Sequence, residues 1–184
     1  MNYKDINTII LVDDRDRTHK GGGIGSNDRQ SRYAILFAVL KEDLKKLKKI
    51  YLILGDGTFE FDKKKNVLQE IDGDQLFSDN ADAQPIIEKI EKLAGKETTL
   101  LLIDYMLNQS TSKQEEGKQL ACNILSSLES LKNVIRLLYS TSHEDKKAAK
   151  KFNWIYIFDF PIDAPSDAAD TILQELEKRG DLCV

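Results

Sequence analysis

The sequence predicts an α/β fold built on an open, five-stranded parallel sheet. Three short apolar runs end abruptly in polar residues. They are Ile9-Ile10-Leu11-Val12 before Asp13-Asp14, Leu100-Leu101-Leu102-Ile103 before Asp104, and Val134-Ile135-Arg136-Leu137-Leu138-Tyr139 before Ser140-Thr141. Stretches with helical apolar spacing separate them. Runs of this kind mark parallel strands buried on both faces. In an open α/β sheet, ligands bind just beyond the carboxyl ends of the strands. Three carboxylates and a hydroxyl are therefore expected on one rim.

The elements follow in order. Residues 7–12 form the first strand, rich in β-branched Thr8, Ile9, Ile10 and Val12. A polar stretch ending in Gly21-Gly22-Gly23-Ile24-Gly25 leads into a helix that runs to about Lys49. Tyr33, Leu36, Phe37, Leu40, Leu44 and Leu47 give that helix one apolar face. Residues 50–54 are the second strand, stopped by Gly55-Asp56-Gly57. Residues 58–82 break the alternation and read as an inserted, peripheral hairpin and loop. Thr58-Phe59-Glu60-Phe61 alternates like a half-buried strand, and Asn66–Ile71 pairs with it across a lysine turn. The segment from Asp72 to Ala83 reads as an exposed loop.

Pro85 suits the first turn of a second helix, with Ile86, Ile87, Ile90 and Leu93 as its stripe and Gly95 as its C-cap. A strand over 99–103, a helix over about 115–130 and a strand over 134–139 follow. A short helix over about 143–151, a strand over 154–158 and a helix over about 166–178 complete the chain. Right-handed crossovers then put helices on both faces of the sheet. The whole of 1–184 reads as one domain with the insert at about 58–82.

Composition narrows the function. A net charge of −4 over 184 residues argues against nucleic acid as a partner. The lysine clusters have acidic neighbours and read as solvated faces. Two cysteines, Cys122 and Cys183, form no disulfide framework, so a reducing, cytoplasmic setting is expected. No apolar run approaches membrane-spanning length, so no membrane partner is expected. The glycine run lacks the Gly-Lys-Ser/Thr ending of a phosphate loop. His19 and His143 read as surface residues.

The ordered strand-end motifs resemble the receiver domain of two-component response regulators. Val12-Asp13-Asp14 is similar to that family's acidic pair, and Leu102-Ile103-Asp104-Tyr105-Met106-Leu107 to its acceptor strand. Glu116-Gly117-Lys118-Gln119-Leu120 resembles the start of the following helix, and Ser140 falls where the family has its sensing Thr or Ser. The resemblance implies a flavodoxin/CheY-like, doubly wound five-stranded parallel sheet of order 2-1-3-4-5. It implies Asp104 as phosphoacceptor and Ser140 as the residue that senses the phosphoryl group. It also implies Mg²⁺ held by Asp13, Asp14, Asp104 and the backbone carbonyl of Met106. A hard cation of this kind takes oxygen ligands and keeps several waters. Phe160-Pro161 stands where the family has Lys-Pro, so one cation that would stabilise the phosphoryl charge is missing.

No fused output domain is expected in the remaining residues. A stand-alone signalling or interaction module is therefore expected, with a protein partner such as a histidine kinase or an effector. A pseudo-receiver that acts by protein binding alone is one alternative. The other rests on Asp14-Arg15-Asp16-Arg17-Thr18, which resembles the nucleophile motif of haloacid-dehalogenase-like phosphatases. There Asp14 would attack the phosphoryl group and Asp16 would serve as acid and base. No convincing downstream lysine and acidic motif follow Ser140.

Overall fold

The computed structural model describes residues 3–13, 28–74, 76–77, 82–105, 107, 114–140, 150, 154–158 and 164–180. The strands are β1 (Thr8–Val12), β2 (Lys49–Leu54), β3 (Gly57–Asp62), β4 (Val67–Asp72), β5 (Thr99–Asp104), β6 (Val134–Ser140) and β7 (Ile155–Phe158). The helices are α1 (Asp28–Asp43), α2 (Ala83–Ala94), α3 (Gln114–Ser127) and α4 (Pro165–Gly180). All seven strands join one mixed sheet in the order β4-β3-β2-β1-β5-β6-β7. Of the helix expected over 143–151, only Lys150 is described, and it is helical. Among the described residues no helix is long and apolar enough to cross a membrane.

The α/β class agrees with the sequence, but a five-stranded, all-parallel sheet does not describe it. β2, β1, β5, β6 and β7 pair in parallel, whereas β2–β3 and β3–β4 pair antiparallel. The reason lies in the connection between β2 and β3. Only Gly55 and Asp56 separate them, and two residues can join neighbours only as an antiparallel hairpin. Gly57 makes the turn possible. Its φ is +153°, and a Cβ there would lie 2.8 Å from the Asp72 carbonyl oxygen. The second turn, 63–66, uses Asn66 at φ 55°. Lys41 of α1 donates to Asn66 Oδ1 at 2.7 Å and to the Lys63 carbonyl at 3.1 Å.

The insert is also less peripheral than its polarity suggests. Phe59 and Phe61 are buried, and Phe61 meets Phe37 of α1 edge to face at 5.8 Å between centroids. β4 is the exposed half of the hairpin. In the segment read as an exposed loop, Leu76 and Phe77 are half-buried against the core. The first helix ends at Asp43 rather than near Lys49, and Leu44 and Leu47 reach the core from an irregular turn.

Alternate strand residues face opposite sides of the sheet and build two apolar layers. Ile9, Leu11, Leu100 and Leu102 meet Leu36 and Phe37 of α1 and Ile172 of α4. Ile10, Val12, Leu101 and Ile103 meet Ile87 and Ile90 of α2 and Ile124 of α3. Each fully buried side chain of this size contributes roughly 1.5–3 kcal/mol. Asp82 caps α2 by accepting from the Gln84 N–H at 3.0 Å.

Two carboxylates in the hairpin make acid destabilising. The Lys64 and Lys65 backbone N–H groups hold the Asp62 carboxyl below its ordinary value of 3.8. A hydrogen bond from Lys89, and then the Asp74 N–H, does the same for Asp72. Depressed folded values mean that the unfolded chain takes up these protons first. The stabilisation is complete above the ordinary carboxylate range and is lost as the pH falls through the folded values. Asp62→Asn keeps an acceptor oxygen but cannot titrate. Urea midpoints at pH 7 and pH 3 are expected to differ less for this variant than for the wild type. An equal difference would assign the acid sensitivity to other groups.

Candidate functional site

The site is built where β1, β5 and β6 end. Asp13 follows β1 directly, and its N–H donates to the Ile53 carbonyl of β2 at 3.0 Å. Asp104 is the last residue of β5, and Ser140 the last of β6. All three are buried, Asp13 to 2% exposure, Asp104 to 6% and Ser140 to 2%. Such polar burial is unfavourable unless partners compensate it.

The strand register sets their relation. Val12 lies opposite Ile103, so one further step brings Asp13 beside Asp104. Asp104 lies opposite Tyr139 on its other side. Neighbouring strands are about 4.8 Å apart. Leu11, Leu102 and Tyr139 all face the layer under α1 and α4, and the pleat carries Asp13 and Asp104 to that face. The two carboxylates therefore share one row and one face. Ser140 lies one step beyond Tyr139, opposite Phe158, on the alternate pleat.

Two tyrosines frame this row. The Tyr33 hydroxyl, from α1, donates to Asp13 Oδ2. The Tyr139 hydroxyl donates to the Val12 carbonyl at 3.4 Å. Beyond Asp104, the Tyr105 N–H donates to the Tyr139 carbonyl at 3.0 Å, which keeps the chain against β6. The Tyr105 hydroxyl lies 3.7 Å from Cys122 Sγ of α3. Sequence reasoning placed Tyr33 in the apolar stripe of the first helix and assigned its hydroxyl no role. The signal was a tyrosine where the stripe otherwise carries Leu and Phe, since a buried phenol needs a partner.

Asp14, Asp16, Met106 and Phe160 lie outside the described residues, as do Thr141 and His143. Among the described residues no group of three or more His, Cys, Asp or Glu gathers to hold a metal. Asp13 and Asp104 supply two hard oxygen donor groups, and Mg²⁺ binds through one or two carboxylates while keeping waters. Their chemistry fits such a cation. No protein-family model matches the chain, and no curated protein matches its sequence.

Proposed function

We propose that the chain is an atypical receiver-like signalling module in which Asp104 is the phosphoacceptor. In this reading β2, β1, β5, β6 and β7 form a flavodoxin-like, doubly wound core of order 2-1-3-4-5, and β3–β4 is an addition to its edge. The observation that carries the proposal is the buried carboxylate of Asp104 at the end of a central parallel strand, beside Asp13. An Asp104 carboxylate oxygen attacks the phosphorus of a donor, and the leaving group departs with its bonding electrons, leaving an acyl phosphate. Asp13, Asp14, Asp104 and the Met106 carbonyl would hold Mg²⁺, which would neutralise phosphoryl charge. The Ser140 hydroxyl would donate to a phosphoryl oxygen. A partner protein, such as a histidine kinase or an effector, would supply or read the modification.

A second reading, a pseudo-receiver that works by protein binding alone, draws on a different observation. Asp13 and Asp104 are nearly inaccessible, and Tyr33 already occupies Asp13 Oδ2.

The test is hydroxylamine-sensitive labelling by a small phosphodonor such as acetyl phosphate, with and without Mg²⁺. Slow, Mg²⁺-dependent labelling is expected, lost in Asp104→Asn and faster in Phe160→Lys, which restores a cation. Absence of label in both wild type and Phe160→Lys would leave the binding-only reading. Phosphate-ester turnover that depends on Asp14 and Asp16 rather than Asp104 would instead favour the dehalogenase-like reading.

A further inference from the structure

The outer edge of β4 is the feature that the site chemistry does not use. β4 closes one side of the sheet, and among the described residues no strand pairs with its outer edge. Such an edge offers a row of backbone donors and acceptors as a template for another strand. Its side chains are exposed along most of its length. Val67 is 43% exposed and Ile71 is 49% exposed; with Ile35, they are the exposed large apolar residues among those described.

The charge pattern says which strand fits. Lys63-Lys64-Lys65 precedes β4, whereas Glu70, Asp72 and Asp74 lie at its other end. Within the chain Lys63 donates to the Leu47 carbonyl, Lys65 pairs with Asp62, and Lys89 pairs with Asp72 and Asp74, so the two ends keep opposite net charge. A second β4 laid antiparallel brings the basic end of each copy to the acidic end of the other. A parallel arrangement would set like charges together.

We propose that two copies of this chain associate through β4, antiparallel, about a two-fold axis at Gln69. The pairing rules favour this register. In an antiparallel ladder, outward-pointing residues meet outward-pointing residues, so the two-fold falls on a residue rather than between two. Centred on Gln69, it sets Val67 of each copy opposite Ile71 of the other, covering both exposed apolar side chains. Leu68 then meets Glu70, and beyond the ladder the lysine turn of each copy approaches the acidic end of the other. A one-residue bulge at Ile71, where the β3 register shifts between Phe59 and Thr58, ends the regular stretch. The interface is therefore short and the dimer concentration-dependent.

Sedimentation equilibrium of the full chain over a wide concentration range tests this. The mass is expected to rise toward that of a dimer. Ile71→Lys, at an exposed position, should return the chain to a monomer with an unchanged circular dichroism spectrum. Lys64→Glu should weaken the dimer, and adding Asp74→Lys should restore it. With Cys122 and Cys183 replaced by serine, Gln69→Cys should cross-link to itself on mild oxidation, and Glu70→Cys should not. A chain that stays monomeric throughout overturns the proposal. So does a dimer that survives Ile71→Lys, or an edge that gains exchange protection only when a different protein is added.

Discussion

Phe37→Ala is expected to destabilise the fold by about 3–5 kcal/mol, the range for emptying a fully buried aromatic site. Phe37 has no exposed surface and sits in the layer between α1 and the sheet. It stacks on Tyr33 at 6.3 Å between centroids and meets Phe61 edge-on at 5.8 Å. One side chain thus joins three parts of the fold: the helix, the hairpin and, through Tyr33, the carboxylate of Asp13. Urea unfolding measures the effect, as a lower midpoint at unchanged slope. A loss below about 1 kcal/mol would mean that the pocket collapses onto its neighbours or that the hairpin unfolds separately from the core.

Arg136→Ala is expected to cost about 2–3 kcal/mol, the upper range for hydrogen bonds made by a charged group. Arg136 lies on β6, and its guanidinium closes the end of α3. Nε donates to the Leu128 carbonyl at 3.1 Å, and Nη2 donates to the carbonyls of Leu128, Glu129 and Leu131 at 2.6, 2.8 and 2.8 Å. These carbonyls lie in and just after the 3₁₀ turn Leu128–Ser130 that follows the helix, where acceptors run out of intrahelical donors. Burial lowers the guanidinium pKa, and the charge of nearby Glu129 opposes that shift. Arg136→Lys should recover only part of the loss, because an ammonium cannot reproduce the planar fork. Full recovery with lysine would show that charge at the helix end, rather than the bond pattern, does the stabilising.

The parallel strands were legible because burial on both faces leaves an unmistakable apolar run, as in Leu100–Ile103. The hairpin was legible from Thr58-Phe59-Glu60-Phe61, but its place in the sheet was not inferred. The information was present in Gly55-Asp56, a connection too short for any partner but the antiparallel neighbour of β2. Phe59 and Phe61 were read as a half-buried pair because alternation says that one face is apolar without saying what covers it. Arg136 stood in the sequence as one member of the run that ends in Ser140-Thr141, with no role assigned to it. Its partners are backbone carbonyls of the helix end before it, and no sequence pattern marks a carbonyl that needs a donor. At the site, Asp13 and Asp104 could be matched by strand position alone. The Tyr33 bond could not, since it depends on where α1 crosses the sheet.

The two hairpin connections also bear on the order of folding. β2, β3 and β4 form a meander whose contacts are local in sequence, whereas β1 must find β5 across most of the first half of the chain. Loop-closure entropy grows with the length of chain enclosed, so the meander closes at the least entropic cost. It is expected to be partly formed in the folding transition state, with the β1–β5 pairing completed later. Conservative substitutions in β3 should then slow folding, and those in β5 should mainly speed unfolding. The reverse pattern in stopped-flow kinetics would place the nucleus in the parallel strands instead.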